Sequence, residues 1–435
     1  MIDLKQNIYM NRNVKVLPSY IALTWDVIFV WTISTMFFTN VKGLTYSQVI
    51  ALDSILMLIG CIICVPLNKL FERVPAIWAT RVGCMGYGAY LLLCIFGKNY
   101  LVFVLAQFFL SFGYCINSVK INAVLVDSLS VIKRDKDYQR VFGHGLGIYY
   151  VFEAIGAIVI TYIYSWNPYA AYWTGFSVVI IAEIISIFLK EPKKFQPRNV
   201  CLNLEQKQGE VKYKSSLKNI LKSSFFMCLL MYMFFMRGAL SIVGSGGKVY
   251  LQQLTNLNVI PVWAFGYIYS GIKIASAISS KYQFKIDTKF GVKSLLIFTL
   301  CTIASFFLIG VIYVVDMSAI WAVILIVILL YIQGALYSPV RIFANNYMNV
   351  CIDPKDIDKA YSFRVSVEYA GYAAISALYA MLLGLTGDNY GLTNIVFMSI
   401  LIVPLLVTML LSINQIVKTY AKKKTIIKEE YVNDD

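Results

Sequence analysis

Histidine is almost missing from this chain of 435 residues; His144 is the only one, which argues against a metal centre or acid–base apparatus built on imidazoles. Charge is scarce as well, at 14% of residues, where soluble domains carry about 25%. Acids are the scarcer sign, with 23 Asp and Glu against 38 Lys and Arg. The nine cysteines sit mostly inside apolar runs, and the chain is far too long for a disulfide-built secreted module. Cys61 and Cys64 share a helical face without a second ligand pair, so buried thiols are the simpler reading. A phosphate loop is lacking too. Gly244-Ser-Gly-Gly247-Lys248 has neither the leading glycine nor the Ser or Thr after the lysine, and reads as the flexible outer end of a span. No cofactor or metal is expected. The first apolar stretch lacks a charged start and a small-residue cleavage site, so it reads as a permanent span.

What the chain has is apolar surface, 59% of residues. A bilayer core of ~30 Å takes ~20 helical residues, since no backbone group there can bond to water. Twelve stretches meet that need: 17–39, 45–66, 76–97, 100–126, 141–165, 169–189, 220–244, 261–281, 291–313, 318–344, 361–386 and 392–416. The expectation is an all-α integral membrane protein of twelve transmembrane helices in two pseudo-symmetric six-helix bundles. Its +15 charge sorts with them. Basic residues collect on the cytoplasmic side of a membrane, and with the N-terminus inside, thirty-one of the 38 fall on that side. Lys42, Lys98 and Lys248 fall outside. Both termini are therefore expected in the cytoplasm, and the positive charge is an orientation signal, not a nucleic-acid face.

The polar interval 190–219 separates residues 1–189 from 220–416, with a cytoplasmic tail at 417–435. Each half carries a related segment, NSVKINA at 117–123 and SPVRIFA at 338–344, which align Lys120 with Arg341. A glycine precedes each cation by seven residues, Gly113 and Gly334, and the same offset superposes the starts of spans five and eleven. Such a period indicates a duplicated six-helix unit.

Between spans two and three the chain reads Cys64-Val-Pro-Leu-Asn68-Lys69-Leu-Phe71-Glu72-Arg73. After span eight it reads Ile286-Asp287-Thr288-Lys289-Phe290-Gly291-Val292-Lys293. Over its whole length the sequence resembles the major facilitator superfamily of secondary transporters, whose pattern in these loops is Gly-x-x-x-Asp-Arg-x-Gly-Arg-Arg. Both glycines are gone from the first copy, while the acid, glycine and base survive in the second. The resemblance implies gating roles for Asn68, Lys69, Arg73, Asp287, Lys289 and Lys293. It also implies that spans 1, 4, 7 and 10 line a central pathway and that spans 2, 5, 8 and 11 join the halves. Gln107 stands where the family often has an arginine linked with proton coupling. The Gly-Pro-Gly-Gly antiporter cluster is absent from span five. No substrate-specific subfamily follows from these motifs.

Charges inside spans cost at least ~2.5–3.5 kcal/mol each at mid-bilayer, so the few present are informative. They are Asp26, Asp53, Lys120, Glu153, Glu183, Arg237, Lys273, Arg341 and Glu368. Asp53 and Glu183, nearer helix ends, read as structural. The candidate substrate or ion pathway comprises Asp26, Lys120, Glu153, Arg237, Lys273 and Arg341. For Glu153 and Lys273 an ion pair and a substrate role stand level. Asp26, beside Trp25 and Trp31, is a candidate proton carrier whose affinity a nearby Lys120 would lower.

These features point to a secondary active transporter that moves a small polar or charged solute by alternating access, coupled to H+. Such a chain is read as a monomer in the plasma membrane, whose partners are the solute, the coupling ion and the lipid bilayer, with no enzymatic activity. Efflux of amphipathic drugs or lipids and a non-transporting membrane sensor remain as alternatives. The buried charges weigh against the first, and the short C-terminal tail against the second.

Overall fold

A computed structural model describes residues 2–24, 27, 30–134, 137–192, 223–316, 320–351 and 357–433, and every main element among them is helical. In the first half α1 (Ile2–Thr24) and α2 (Val30–Met36) are followed by a π-helical turn, Phe37–Val41. Next come α3 (Tyr46–Leu70), α4 (Ala76–Phe96), α5 (Tyr100–Val131), α6 (Tyr138–Trp166) and α7 (Pro168–Ile187). The second half holds α8 (Ser224–Asn256), α9 (Val262–Phe290), α10 (Ser294–Asp316), α11 (Ile320–Cys351), α12 (Ile357–Leu385) and α13 (Tyr390–Asn433). Ten of these helices are long and apolar enough to cross a membrane. The first expected span is not among them, because α1 ends at Thr24, α2 begins at Val30 and Val27 between them is not helical. Nor is α9, whose run is diluted by Lys273, Tyr267, Tyr269 and four serines. Within the expected linker, residues 193–219 lie outside the described residues.

Two boundaries differ from the sequence expectation in ways that bear on function. The seventh span was expected to stop at residue 244, yet α8 continues for three more turns to Asn256. The run Gly244–Lys248 is therefore helix, buried from Ser245 to Lys248, and not a flexible outer end. The last span was expected to end at 416, and α13 continues to Asn433.

The same neighbours recur in each half. α1 packs on α5, α6 and α7, as α8 packs on α11, α12 and α13. α3 packs on α5, and α4 on α5 and α7; correspondingly α9 packs on α11, and α10 on α11 and α13. A 3-10 turn closes the second span of each half, Phe71–Arg73 and Gly291–Lys293. The halves meet chiefly along two seams, α3 against α12 and α6 against α9. Membrane helices gain little from apolar burial against each other and rely on close packing at small residues. At the second seam a Cβ on Gly266 would strike the Ala157 carbonyl and Thr161 Oγ1, so α9 lies almost backbone to backbone on α6.

Polar clasps secure the helix ends. Asn13 Nδ2 donates to Ser128 Oγ (3.1 Å) and to the Lys190 carbonyl (2.7 Å), and its Oδ1 accepts from Lys190 N (3.0 Å). The Glu191 carboxylate accepts from Ala76 N and Ile77 N, at 2.7 and 2.9 Å, a stabilising place for a negative charge at the start of α4. At the other end of α4, Lys42 Nζ donates to the carbonyls of Ile95 and Gly97, at 2.7 and 3.0 Å. Burial, with a weaker push from Lys98, holds this ammonium below the ordinary lysine range.

Substituting Gly266→Ala should overpack the α6–α9 seam and cost about 1–3 kcal/mol, read as a lower melting temperature of the purified protein in detergent. Gly244→Ala, whose added Cβ meets nothing within 4 Å, should leave the melting temperature unchanged or higher.

Candidate functional site

The charges that sequence placed on the fifth and eighth spans meet. Lys273 Nζ lies 2.7 Å from Glu153 Oε1 across the α6–α9 seam. Both residues stand well inside their helices, Glu153 fifteen residues after the start of α6 and Lys273 eleven after the start of α9. That is on the order of 16–22 Å along the axes at 1.5 Å per residue. Tyr269, one turn before Lys273, places its ring 5.3 Å from the ammonium.

The other seam holds its own polar group at the equivalent place. Asp53 and Lys273 each lie eighteen residues before the 3-10 turn of their half. Tyr372 stands fifteen residues into α12, as Glu153 does in α6. Tyr372 lies within electrostatic reach of Asp53 and hydrogen-bonding reach of Ser245. Ser245 Oγ donates to Asp53 Oδ2 at 2.7 Å, joining α8 to α3. Asp53, read as structural, lies at the junction of the halves, 9% exposed.

Lys248, which sequence placed on the outer side in a flexible end, is 1% exposed within α8. Its Nζ donates to the Trp31 carbonyl (2.9 Å) and Ser34 Oγ (3.3 Å) and lies 4.2 Å from the Trp31 ring centre. Asp53 is near enough for its charge to be felt. Farther along α8, Gln252 Nε2 donates to Asn40 Oδ1 (2.8 Å) and Asn256 Nδ2 to Tyr46 OH (3.1 Å). These contacts tie α8 to the first and second spans at the end of the bundle that carries the turns after α2, α4 and α6.

A third group lies within the second half. Glu368 Oε1 is 2.9 Å from Arg364 Nη1, one turn before it on α12, while Glu368 Oε2 is 3.8 Å from Arg237 Nε on α8. Arg237 Nη1 donates to the Tyr337 carbonyl at 2.7 Å, and the guanidinium carbon lies 3.9 Å from the Tyr337 ring centre. Arg364 was assigned to the inner face by sequence, yet it is among the largest fully buried side chains.

The remaining expected residues are dispersed. Lys120 Nζ donates to the Phe71 carbonyl at 2.7 Å, which ties it to the 3-10 turn after α3. Arg73, Lys289 and Lys293 are exposed. Asp26 and the side chains of Asn68, Lys69, Asp287 and Arg341 lie outside the described residues. Glu183, read as structural, sits near Arg81, which donates from Nε to Ser186 Oγ at 2.9 Å. Sequence reasoning missed Lys248, Arg364 and Tyr372. For Lys248 a signal existed: Arg237, Ser241, Ser245 and Lys248 follow at spacings of four, four and three, one face of a helix.

A cleft of about 380 Å³ lies between α3 and α12, lined by Ser47, Ser54, Ile55, Ala377 and Met381 among others, apart from these charges.

A family model described as Major Facilitator Superfamily matches residues 16–372. No curated protein matches the chain by sequence. Among solved structures, the nucleoside transporter NupG is similar with a TM-score of 0.71 at 11% identity, covering 93% of this chain and 98% of that one. A bacterial homolog of the human lysosomal transporter Spinster, inward-facing and occupied, gives 0.64 at 12% identity, covering 95% and 96%. At such identities the likeness is one of fold.

Replacing Glu153 by Gln should remove the carboxylate 2.7 Å from Lys273, whose side chain is 22% exposed, a loss smaller than the ~3–5 kcal/mol of a fully buried pair. The double variant Glu153→Gln, Lys273→Met should regain most of the lost melting temperature. Equal destabilisation in the single and double variants would show that the two charges do not stabilise each other.

Proposed function

The chain belongs to the major facilitator superfamily, and we propose that it is a secondary active transporter moving a small polar or charged solute by alternating access. The observation that carries this reading is the chemistry of the junction. Two halves of matching helix order meet at buried polar groups, Glu153 with Lys273 and Asp53 with Ser245, that are costly unless paired. Pairs of this kind hold two bodies together while leaving them separable, because water or a solute that enters the seam can take over one partner. A fused apolar core offers no such exchange.

In the orientation that the basic loops favour, both termini face the cytoplasm, and the contacts of Lys248, Gln252 and Asn256 close the outer end. The described arrangement is then the one shut toward the outside. We place it in the plasma membrane as a monomer. For the energy source we propose an H+ gradient, with Asp26 as the loading acid; the run Gly244–Lys248 is occupied as helix and does not form a nucleotide loop. The likeness to a nucleoside transporter makes uridine a reasonable first probe and carries no more than that.

Purified chain in proteoliposomes should take up a labelled solute faster with an imposed pH gradient than without one. Asp26→Asn should lose that acceleration while keeping exchange of solute against solute. Proton-dependent uptake unchanged in Asp26→Asn would remove Asp26 from the mechanism. Ligand binding without movement of any solute would favour a sensor.

A further inference from the structure

The buried charges at the junction and in the second half balance in pairs with one left over. Lys273 answers Glu153 at 2.7 Å, and Arg364 forms an ion pair with Glu368 at 2.9 Å. Asp53 stands within reach of the Lys248 charge. Arg237 is the surplus. Its distance of 3.8 Å to Glu368 exceeds the ~2.7–2.9 Å of a charge-assisted hydrogen bond, and that carboxylate is already met by Arg364. Among the described residues, then, the group Arg237, Arg364 and Glu368 carries one net positive charge at 8%, 2% and 8% exposure. Asp26 and Arg341, outside the described side chains, are of opposite sign and cancel each other in such a count.

The placement of Arg237 suits a ligand. It lies thirteen residues into α8, near the middle of that helix, on the seventh span. Its Nη1 is fixed by the Tyr337 carbonyl and its plane lies close to the Tyr337 ring, while its buried Nε has no hydrogen-bond partner. Tyr337, whose ring covers the guanidinium, is itself 38% exposed. From the opposite half, Tyr150 on α6 lies within electrostatic reach. A guanidinium so held presents a planar fork of donors, the geometry that meets two oxygens of a carboxylate or phosphate at once.

We propose that Arg237 anchors an anionic oxygen group, carboxylate or phosphate, on the transported solute, and that the pathway selects for solutes bearing negative charge. The proposal rests on the transporter reading and names its substrate class. An anion at Arg237 completes the neutralisation that Glu368 leaves unfinished. A cation there would face an unshielded like charge.

The test compares four probes on full-length protein: glycerol phosphate, lactate, uridine and choline. Melting temperature in detergent reports binding, and flux in proteoliposomes reports transport. At least one of the two anions should stabilise the wild type and move saturably, and which one distinguishes phosphate from carboxylate recognition. Arg237→Gln should raise the KM for that anion at least tenfold, and Arg237→Lys, which keeps the charge and loses the fork, should fall between. The proposal is overturned if uridine or choline alone binds and moves, or if the anion's KM is unchanged in Arg237→Gln; transport itself then stands. Should no probe bind or move, the transporter reading falls together with the proposal. If Arg237→Gln fails to fold, the order of the probes on wild type and the KM in Arg237→Lys decide.

Discussion

A charge inside a membrane has few ways to persist: it pairs, it is bonded to backbone carbonyls, or it faces a wet cavity. This chain uses pairing and backbone carbonyls, and the arrangement of its halves depends on how. Glu153 and Lys273 belong to different halves and sit well within their helices, so neither half alone can bury its member cheaply. The seam between α6 and α9 is therefore fixed in register by one ion pair. Gly266 lets the two backbones come close enough for the pair to form. Packing without the pair would leave a charge exposed to hydrocarbon, and the pair without the packing would admit water.

The duplicated architecture makes a prediction about charge that the sequence then breaks. Equivalent positions in a perfect repeat would carry the same residue, and the two seams would be identical. Here Asp53 stands where Lys273 stands in the other half, and Tyr372 where Glu153 stands. One seam thus holds an acid with a base, and the other an acid with a phenol and the hydroxyl of Ser245. The halves are alike in fold and unlike in electrostatics.

Much of this architecture was legible in the sequence, because the bilayer imposes a length and a polarity that hydropathy reads directly. The placement of Glu153 opposite Lys273 was legible as well, through the family resemblance of spans five and eight. What failed were helix ends. Hydropathy stops a span at the first polar cluster, so Gly244-Ser-Gly-Gly247-Lys248 looked like a terminus, although α8 continues for three turns beyond it. Arg364 was lost for the same reason: it sits near the start of α12 with other bases, and only packing shows that Glu368 one turn later draws it inward. The first span did carry a signal: Asp26 interrupts its apolar run, and the neighbouring Val27 is not helical.

The buried face of α8 joins these observations. From Arg237 through Ser241 and Ser245 to Lys248, a polar stripe runs along a helix whose other residues are mostly apolar and buried. One end of the stripe binds the carbonyl of Trp31 and the hydroxyl of Ser34 in the opposite half; the other remains in its own half with Glu368. Any motion that separates α8 from the first span breaks the Lys248 contacts and leaves those of Arg237 intact. The two cations of one stripe are thus divided by location: Lys248 touches the opposite half, and Arg237 touches Tyr337 and Glu368 of its own half. A site that must hold a solute while the halves move needs a group of the second kind.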